Sequence, residues 1–291
     1  MIHYLPTIKS EKNGFDHLAE LAAETDEVYN SVVELDFSRC GFFDANMAAP
    51  LAAVLTLLSV ERFNRVELVN IRDAIKNILC KNGFLVSYGY DPVVDANQTA
   101  LPFIRLQLKD ENSFAVYLDK HLNGKGIPRM TKAMGKMFRQ SVFEVFQNVV
   151  IHSGSELGVF ICGQFYPHLQ RLDLTIADAG IGIRTNVRRY LQNNRLSSVA
   201  ALKWALQEGN TTKTGTQPGG VGLKFLKDFI ELNKGKIQIA SRYGYYEYNN
   251  GAESFSKLTA DLAGTAVNLE INTGDTNTYK LNSEISSKDI F

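Results

Sequence analysis

Three polar residues at helical spacing are the first candidates for a functional site in this sequence. Glu144, Asn148 and His152 lie four residues apart in the string EVFQNVVIH. Successive positions at this spacing drift by only about 40° around a helix, so the three side chains share one face. Their neighbours are apolar, and burying a carboxylate or a carboxamide without a partner is costly. The pattern predicts either a functional site or a polar pair that holds two elements together.

A second candidate follows a strand-like segment. The string LDLTIA is followed directly by Asp178, and glycines stand at 180 and 182. A carboxylate at a strand end, with glycines just after it, lets the backbone approach a flat ligand closely. The alternative interpretation is a tight turn capped by the aspartate.

Two further glycine motifs follow along the chain. Gly219, Gly220 and Gly222 precede a helical pattern, where exposed backbone N–H groups and the helix dipole favour an anion. A flexible loop end would give the same pattern. Neither the phosphate-binding loop GxxxxGK[ST] nor the dinucleotide fingerprint GxGxxG is present. Gly264 and Thr265 enter the last apolar strand, where the threonine could hydrogen-bond a base.

The elements that must position these motifs fall into two regions. In the first region, the patterns predict strands over 31–37 and 65–71 and helices over 45–62 and 72–82. In the second, they predict helices over 129–151 and from 222, and strands over 158–162, 171–177, 236–241 and 265–271. The first order implies a sheet with helices packed on it, and the second an α+β sandwich.

Length and composition set the broad class. A chain of 291 residues is expected to form two domains, which we assign to 1–95 and 96–291. Lys plus Arg (31) balances Asp plus Glu (31), so there is no electrostatic case for binding nucleic acid or an anionic membrane. The three cysteines form no CxxC pair and are expected to be buried thiols. We expect a cytoplasmic protein.

In order and spacing, the four motifs of the second region resemble the N, G1, G2 and G3 boxes of the GHKL ATPase superfamily. The resemblance covers about residues 101–272. It implies a Bergerat-type α/β sandwich in which ATP and Mg²⁺ bind between the helices and the sheet. The string EVFQNVVIHS is most similar to the anti-sigma-factor serine kinases within that superfamily, although their lids are shorter.

The resemblance carries roles over to individual positions. Glu144 matches the general base of the family's hydrolases, and Asn148 matches the residue that coordinates Mg²⁺. Asp178 matches the acceptor of the adenine amino group. The remaining nucleotide contacts that the resemblance implies are Gly180, Gly182 and Thr265 at the base, and Gly220, Gly222 and Leu223 at the phosphates. The lid would span about 183–219, and its Thr211 and Thr212 are candidates to reach the γ-phosphate.

The first region resembles a STAS domain over about residues 1–90, so we expect a small STAS-like α/β domain before the ATPase. One departure matters: Asp44–Met47 stands where that family has Asp-Ser-Ser-Gly, and this segment holds no hydroxyl. Together the resemblances imply an ATP–Mg²⁺ protein that hydrolyses ATP or transfers its γ-phosphate to a protein partner. The alternative is a non-catalytic, ATP-bound anti-sigma-like or scaffold module. A homodimer is compatible with either.

Overall fold

The computed structural model describes residues 1–107, 110–154, 156–207, 209–210 and 221–284, with the backbone alone at 111, 150–152, 221 and 222. The helices are α1 Lys12–Glu24, α2 Ala48–Thr56, α3 Asp73–Lys81, α4 Glu111–Leu122, α5 Lys132–Ser153, α6 Gly182–Leu191, α7 Ser198–Ala205 and α8 Val221–Asn233. The strands are β1 Ile2–Tyr4, β2 Val32–Asp36, β3 Arg65–Val69, β4 Ala100–Leu106, β5 Arg129–Met130, β6 Val159–Tyr166, β7 Arg171–Asp178, β8 Lys236–Asn249, β9 Ala252–Asn272 and β10 Thr278–Tyr279.

A five-stranded sheet in the order β4-β6-β7-β9-β8, antiparallel throughout, is the centre of the molecule. Side chains alternate between its two faces along each strand. Leu172, Leu174 and Ile176 of β7 point to a face whose apolar core includes residues of α4, α5 and α8. Ring contacts fix these helices, with Phe138 of α5 and Phe229 of α8 at 5.1 Å between ring centroids.

Helix α5 is the longest helix in the described part of the chain, and its sequence explains both of its ends. Thr131 is the N-cap, and its side chain accepts a hydrogen bond from the N–H of Met134 at 3.1 Å. Gly154 follows the last turn in the left-handed conformation, the usual C-terminal stop for a helix. The predicted helix over 129–151 is therefore confirmed, displaced by two or three residues.

The N-terminal part of the chain covers the second face of this sheet. Strands β1, β2 and β3 form a parallel sheet in that order, and α1 and α2 are the connections between them. Helix α1 packs against the long β8–β9 hairpin, with the rings of Phe15 and Tyr245 at 5.8 Å. One apolar core joins residues 5–85 to residues 157–266, so the N-terminal part and the sheet are packed together.

Most of the predicted elements are present. Strands β2 and β3 and helix α3 confirm the predictions for the first region, and the predicted helix over 45–62 is a 3-10 turn, then α2, then a π-helical turn. The general α+β class is confirmed, whereas the domain boundary at 95–96 stays a prediction. Among the described helices, none is both long and apolar enough to cross a bilayer.

A buried polar cluster lies where the N-terminal part meets the sheet. The Asn46 side chain is fully buried and donates hydrogen bonds to Ser10 Oγ, Thr175 Oγ1 and Asn268 Oδ1 at 2.8–3.1 Å. Two residues before it, Asp44 Oδ1 accepts hydrogen bonds from Tyr166 and Arg171 of the sheet. The segment that departs from the STAS pattern therefore attaches the N-terminal part to the sheet.

Replacement of Asn46 by alanine is expected to destabilise the protein by about 3 kcal/mol, because it removes several buried hydrogen bonds at once, including those of Ser10 Oγ. Urea unfolding of wild type and Asn46→Ala measures this difference. Asn194→Ala, at an exposed position between α6 and α7, is the matched control and should change stability by less than about 0.5 kcal/mol. Equal effects of the two changes would contradict a stabilising role for the cluster.

Candidate functional site at the end of β7

The end of α5 touches the turn that follows β7. The N–H of Ile181 donates to the carbonyl oxygen of Ser153, the last residue of α5, at 2.7 Å. A Cβ on Gly180 would lie 1.9 Å from that same oxygen, so only glycine permits this approach. The predicted helix and the predicted glycine turn are therefore in direct backbone contact.

Asp178 is the last residue of β7 and lies at the centre of this turn. Its side chain shares the face of Ile176, the face on which α5 packs, and the residue is 2 % exposed. Its Oδ1 accepts a hydrogen bond from the N–H of Gly180 at 2.6 Å. Burial raises the pKa of the Asp178 carboxyl to about 7, although hydrogen bonds from the backbone of Gly180 and Thr265 act in the opposite direction.

Three polar side chains form a row across three neighbouring strands, at the level where β7 ends. The strand register pairs Asp178 of β7 with Thr265 of β9, and Thr265 with Ser241 of β8. All three residues are buried, and the Oγ atoms of Ser241 and Thr265 are 2.9 Å apart. Since paired residues on antiparallel strands lie about 5 Å apart, the row is short enough for one planar ligand to span it.

The backbone of β9 also depends on a glycine at this point. Gly264 has a φ of +80°, and a Cβ there would lie 2.0 Å from the carbonyl oxygen of Asp178. Glycine tolerates both the positive φ and the close approach. The Gly264–Thr265 pair, a weak signal in the sequence, is explained by this contact with the predicted adenine-binding residue.

Glu144 and Asn148 are both half-buried on α5, among the buried residues Val145, Phe146 and Val149. At 1.5 Å per residue, Asn148 is about 7 Å and Glu144 about 13 Å along the helix axis from Ser153, which contacts the turn. One helix thus connects both residues to the turn that holds Asp178.

The remaining predicted residues lie in α6 and α8 or outside the described ranges. Gly182 begins α6 with a φ of +74°, beside Ser241 and Arg242. Gly222 and Leu223 are in the first turn of α8, which packs beside α5. Thr211, Thr212 and Gly220 lie outside the described residues. The described part of the predicted lid contains α6 and α7.

Sequence reasoning missed Ser241 and Arg242. Gly182 packs against both, since a Cβ at Gly182 would lie 2.7 Å from Arg242 Cγ and 2.9 Å from Ser241 Oγ. Arg242 has a φ of +53° at an irregularity in the β8–β9 pairing. Such a bulge is a known means of redirecting a strand beside a site. A polar residue at the end of the apolar run KIQIAS was the available signal.

The side-chain oxygen atoms of the candidate site suit the predicted ligands. Asp178 and Thr265 present oxygen atoms suited to an amino group of a base, and Asn148 supplies an amide oxygen of the kind that Mg²⁺ accepts. In residues 1–107, 110–154, 156–207, 209–210 and 221–284, no three His, Cys, Asp or Glu side chains gather into a metal-binding group.

A cavity of about 490 Å³ lies behind the turn, between it and the N-terminal part. Its lining includes Ala23 and Arg62 from the N-terminal part, Gly180 and Ile181 from the turn, and Arg242 from β8. The N-terminal part therefore borders the candidate site from behind.

No model of a known protein family matches this chain, and a comparison with curated proteins finds none that is similar to it.

Proposed function

We propose that this protein binds ATP with Mg²⁺ and either hydrolyses it or transfers its γ-phosphate to a protein partner. The observation that carries the proposal is the contact between the end of α5 and the turn after β7, since it joins the helix of Glu144 and Asn148 to Asp178. An α-helical layer with α4, α5 and α8 on one face of an antiparallel sheet is also compatible with the Bergerat arrangement.

Each group has a role in this proposal. Asp178 accepts a hydrogen bond from the amino group of adenine, and Thr265 lies beside it on β9. The glycine at 180 lets the end of α5 reach this turn, and the glycine at 264 lets β9 approach Asp178. The metal ion, when bound, neutralises phosphate charge, and Asn148 is the residue that would hold it. Glu144 accepts a proton from the attacking water or hydroxyl group.

The N-terminal part acts as a STAS-like regulatory module in this proposal. It is attached to the back of the sheet through Asp44 and Asn46, and it borders the turn of Gly180 across the cavity. The partner reads the state of the lid, which closes over ATP and excludes water. A protein that binds ATP tightly, without release or transfer of phosphate, would be the non-catalytic switch instead.

Calorimetric titration with ATP and Mg²⁺, followed by a radioactive ATP assay, tests the proposal directly. We expect binding of ATP, and then either labelled phosphate or a labelled protein. Mass spectrometry of the incubated protein and its co-purified partners identifies a phosphorylated Ser, Thr or His. An absence of ATP binding at millimolar nucleotide would refute the proposal.

Glu144→Ala is expected to leave ATP affinity within about threefold of wild type and to slow phosphate release or transfer by roughly 100-fold or more, because only the proton acceptor is lost. Single-turnover kinetics with saturating ATP measure the change. The matched control is Gln140→Ala, one turn earlier on the same face of α5 and exposed. If Glu144→Ala turned over at the wild-type rate, Glu144 would not be the base.

A further inference from the structure

Ser241 makes more hydrogen bonds than any role in strand pairing requires. Its Oγ accepts from the N–H of Ile183 at 2.9 Å and lies 3.0 Å from the carbonyl oxygen of Gly264. It also lies 2.9 Å from Thr265 Oγ1. The residue is 1 % exposed, so these bonds do not compete with solvent.

The single hydroxyl proton of Ser241 determines the direction of this chain of bonds. A carbonyl oxygen can only accept, so the contact with Gly264 uses that proton. Ser241 Oγ must then accept in its bond with Thr265, and Thr265 must donate. Once its own proton is directed at Ser241, Thr265 Oγ1 has lone pairs alone to offer a ligand.

The neighbouring group in the row has the same character. Above about pH 7, where the Asp178 carboxyl is ionised, it has no proton to donate, and it lies opposite Thr265 in the strand register. Together the two residues present acceptors to a ligand that lies over this row of side chains. An amino group of a ligand placed there can donate to these acceptors, whereas a carbonyl oxygen would face two acceptors and no donor.

We infer that Ser241 is a specificity-determining residue, which acts through the hydroxyl of Thr265 to favour a 6-amino purine over a 6-oxo purine. This inference rests on the proposed function, because it takes the row to be the base-binding part of the nucleotide site. Ser241 is a positioning residue here: its own atoms contact Thr265, Gly264 and Ile183. Removing its hydroxyl frees Thr265 to rotate and donate.

The test compares the dissociation constants of ATP and ITP, which differ at the 6-position of the base. We expect wild type to prefer ATP, and Ser241→Ala to reduce that preference roughly tenfold, chiefly through tighter binding of ITP. Ser241→Thr, which restores the hydroxyl, should restore the preference. Ser254→Ala, at an exposed position on β9, is the control and should change nothing.

A double-mutant cycle separates this role from a general loss of structure. In a Thr265→Val background, Ser241→Ala should no longer change the ratio of the ITP and ATP constants, since the hydroxyl it directs is gone. Should Ser241→Ala fail to fold, Ser241→Cys, which has a weaker donor, takes its place. A wild type that binds ATP, with a ratio that Ser241→Ala or its substitute leaves unchanged, overturns this inference alone. A wild type that binds no nucleotide overturns the proposed function and this inference with it.

Discussion

Asp178→Asn is expected to weaken ATP binding roughly 100-fold or more. At pH values above 7 it is also expected to raise the melting temperature of the protein. The amide retains an oxygen to accept from the Gly180 N–H, so its NH₂ group meets the amino group of adenine, donor against donor. The same change removes a buried carboxylate, and no cation among the described residues offsets its loss of solvation. Calorimetric titration and thermal melts at several pH values measure both effects.

The pH dependence has a definite sign. The pKa of Asp178 is about 7 in the folded protein and 3.8 in the ordinary reference state. Because the folded state holds the proton more tightly, stability from this group is full below about pH 4, falls as the pH rises, and is lost above about pH 7. The gain from Asp178→Asn should therefore be several degrees at pH 8 and clearly smaller at pH 5.

Asp119→Asn is the matched control for this prediction. Asp119 is largely exposed and pairs with Arg139, so its replacement should change neither ATP affinity nor the pH dependence of melting. Unchanged ATP affinity in Asp178→Asn would remove the adenine assignment. A melting temperature that falls equally at pH 5 and pH 8 would instead mean that the carboxylate stabilises the fold.

Gly264→Ala is expected to destabilise the protein by about 3–5 kcal/mol and to abolish nucleotide binding. Alanine in a left-handed backbone conformation costs conformational free energy. Its Cβ would also lie 2.0 Å from the Asp178 carbonyl oxygen, so β9 must move away from β7. That movement separates Thr265 from Asp178. Urea unfolding and ATP titration measure the two consequences.

The control for Gly264 is Gly251, at the turn of the β8–β9 hairpin. Its φ of +76° is nearly the same, but no atom lies within 4 Å of a Cβ built there. Gly251→Ala therefore carries the backbone cost alone, about 1 kcal/mol, and should leave ATP binding intact. If the two substitutions cost the same, the close approach of β9 to Asp178 would have no energetic importance.

Polar residues in the sheet strands show where sequence reasoning stops. Asp173 and Thr175 of β7, Gln238 of β8 and Asn268 of β9 alternate with apolar residues, which is the pattern of a sheet with one solvated face. In the structure that face is buried against the N-terminal part, and Asn46 bonds Thr175 and Asn268. Local periodicity distinguishes two faces, but it does not say whether water or protein covers the polar one.

The helix of Glu144 and Asn148, the strand that leads to Asp178 and the glycines around it could all be predicted from the chain alone, because helical spacing, strand alternation and glycine are local signals. The contact between the end of α5 and the turn after β7, and the row of Ser241, Thr265 and Asp178, emerge only in the folded protein. Those contacts join residues about 25 to 90 positions apart in the chain. They depend on the register of the paired strands and on which atoms enter the space that a missing Cβ leaves at Gly180 and Gly264. A local sequence pattern encodes neither of these.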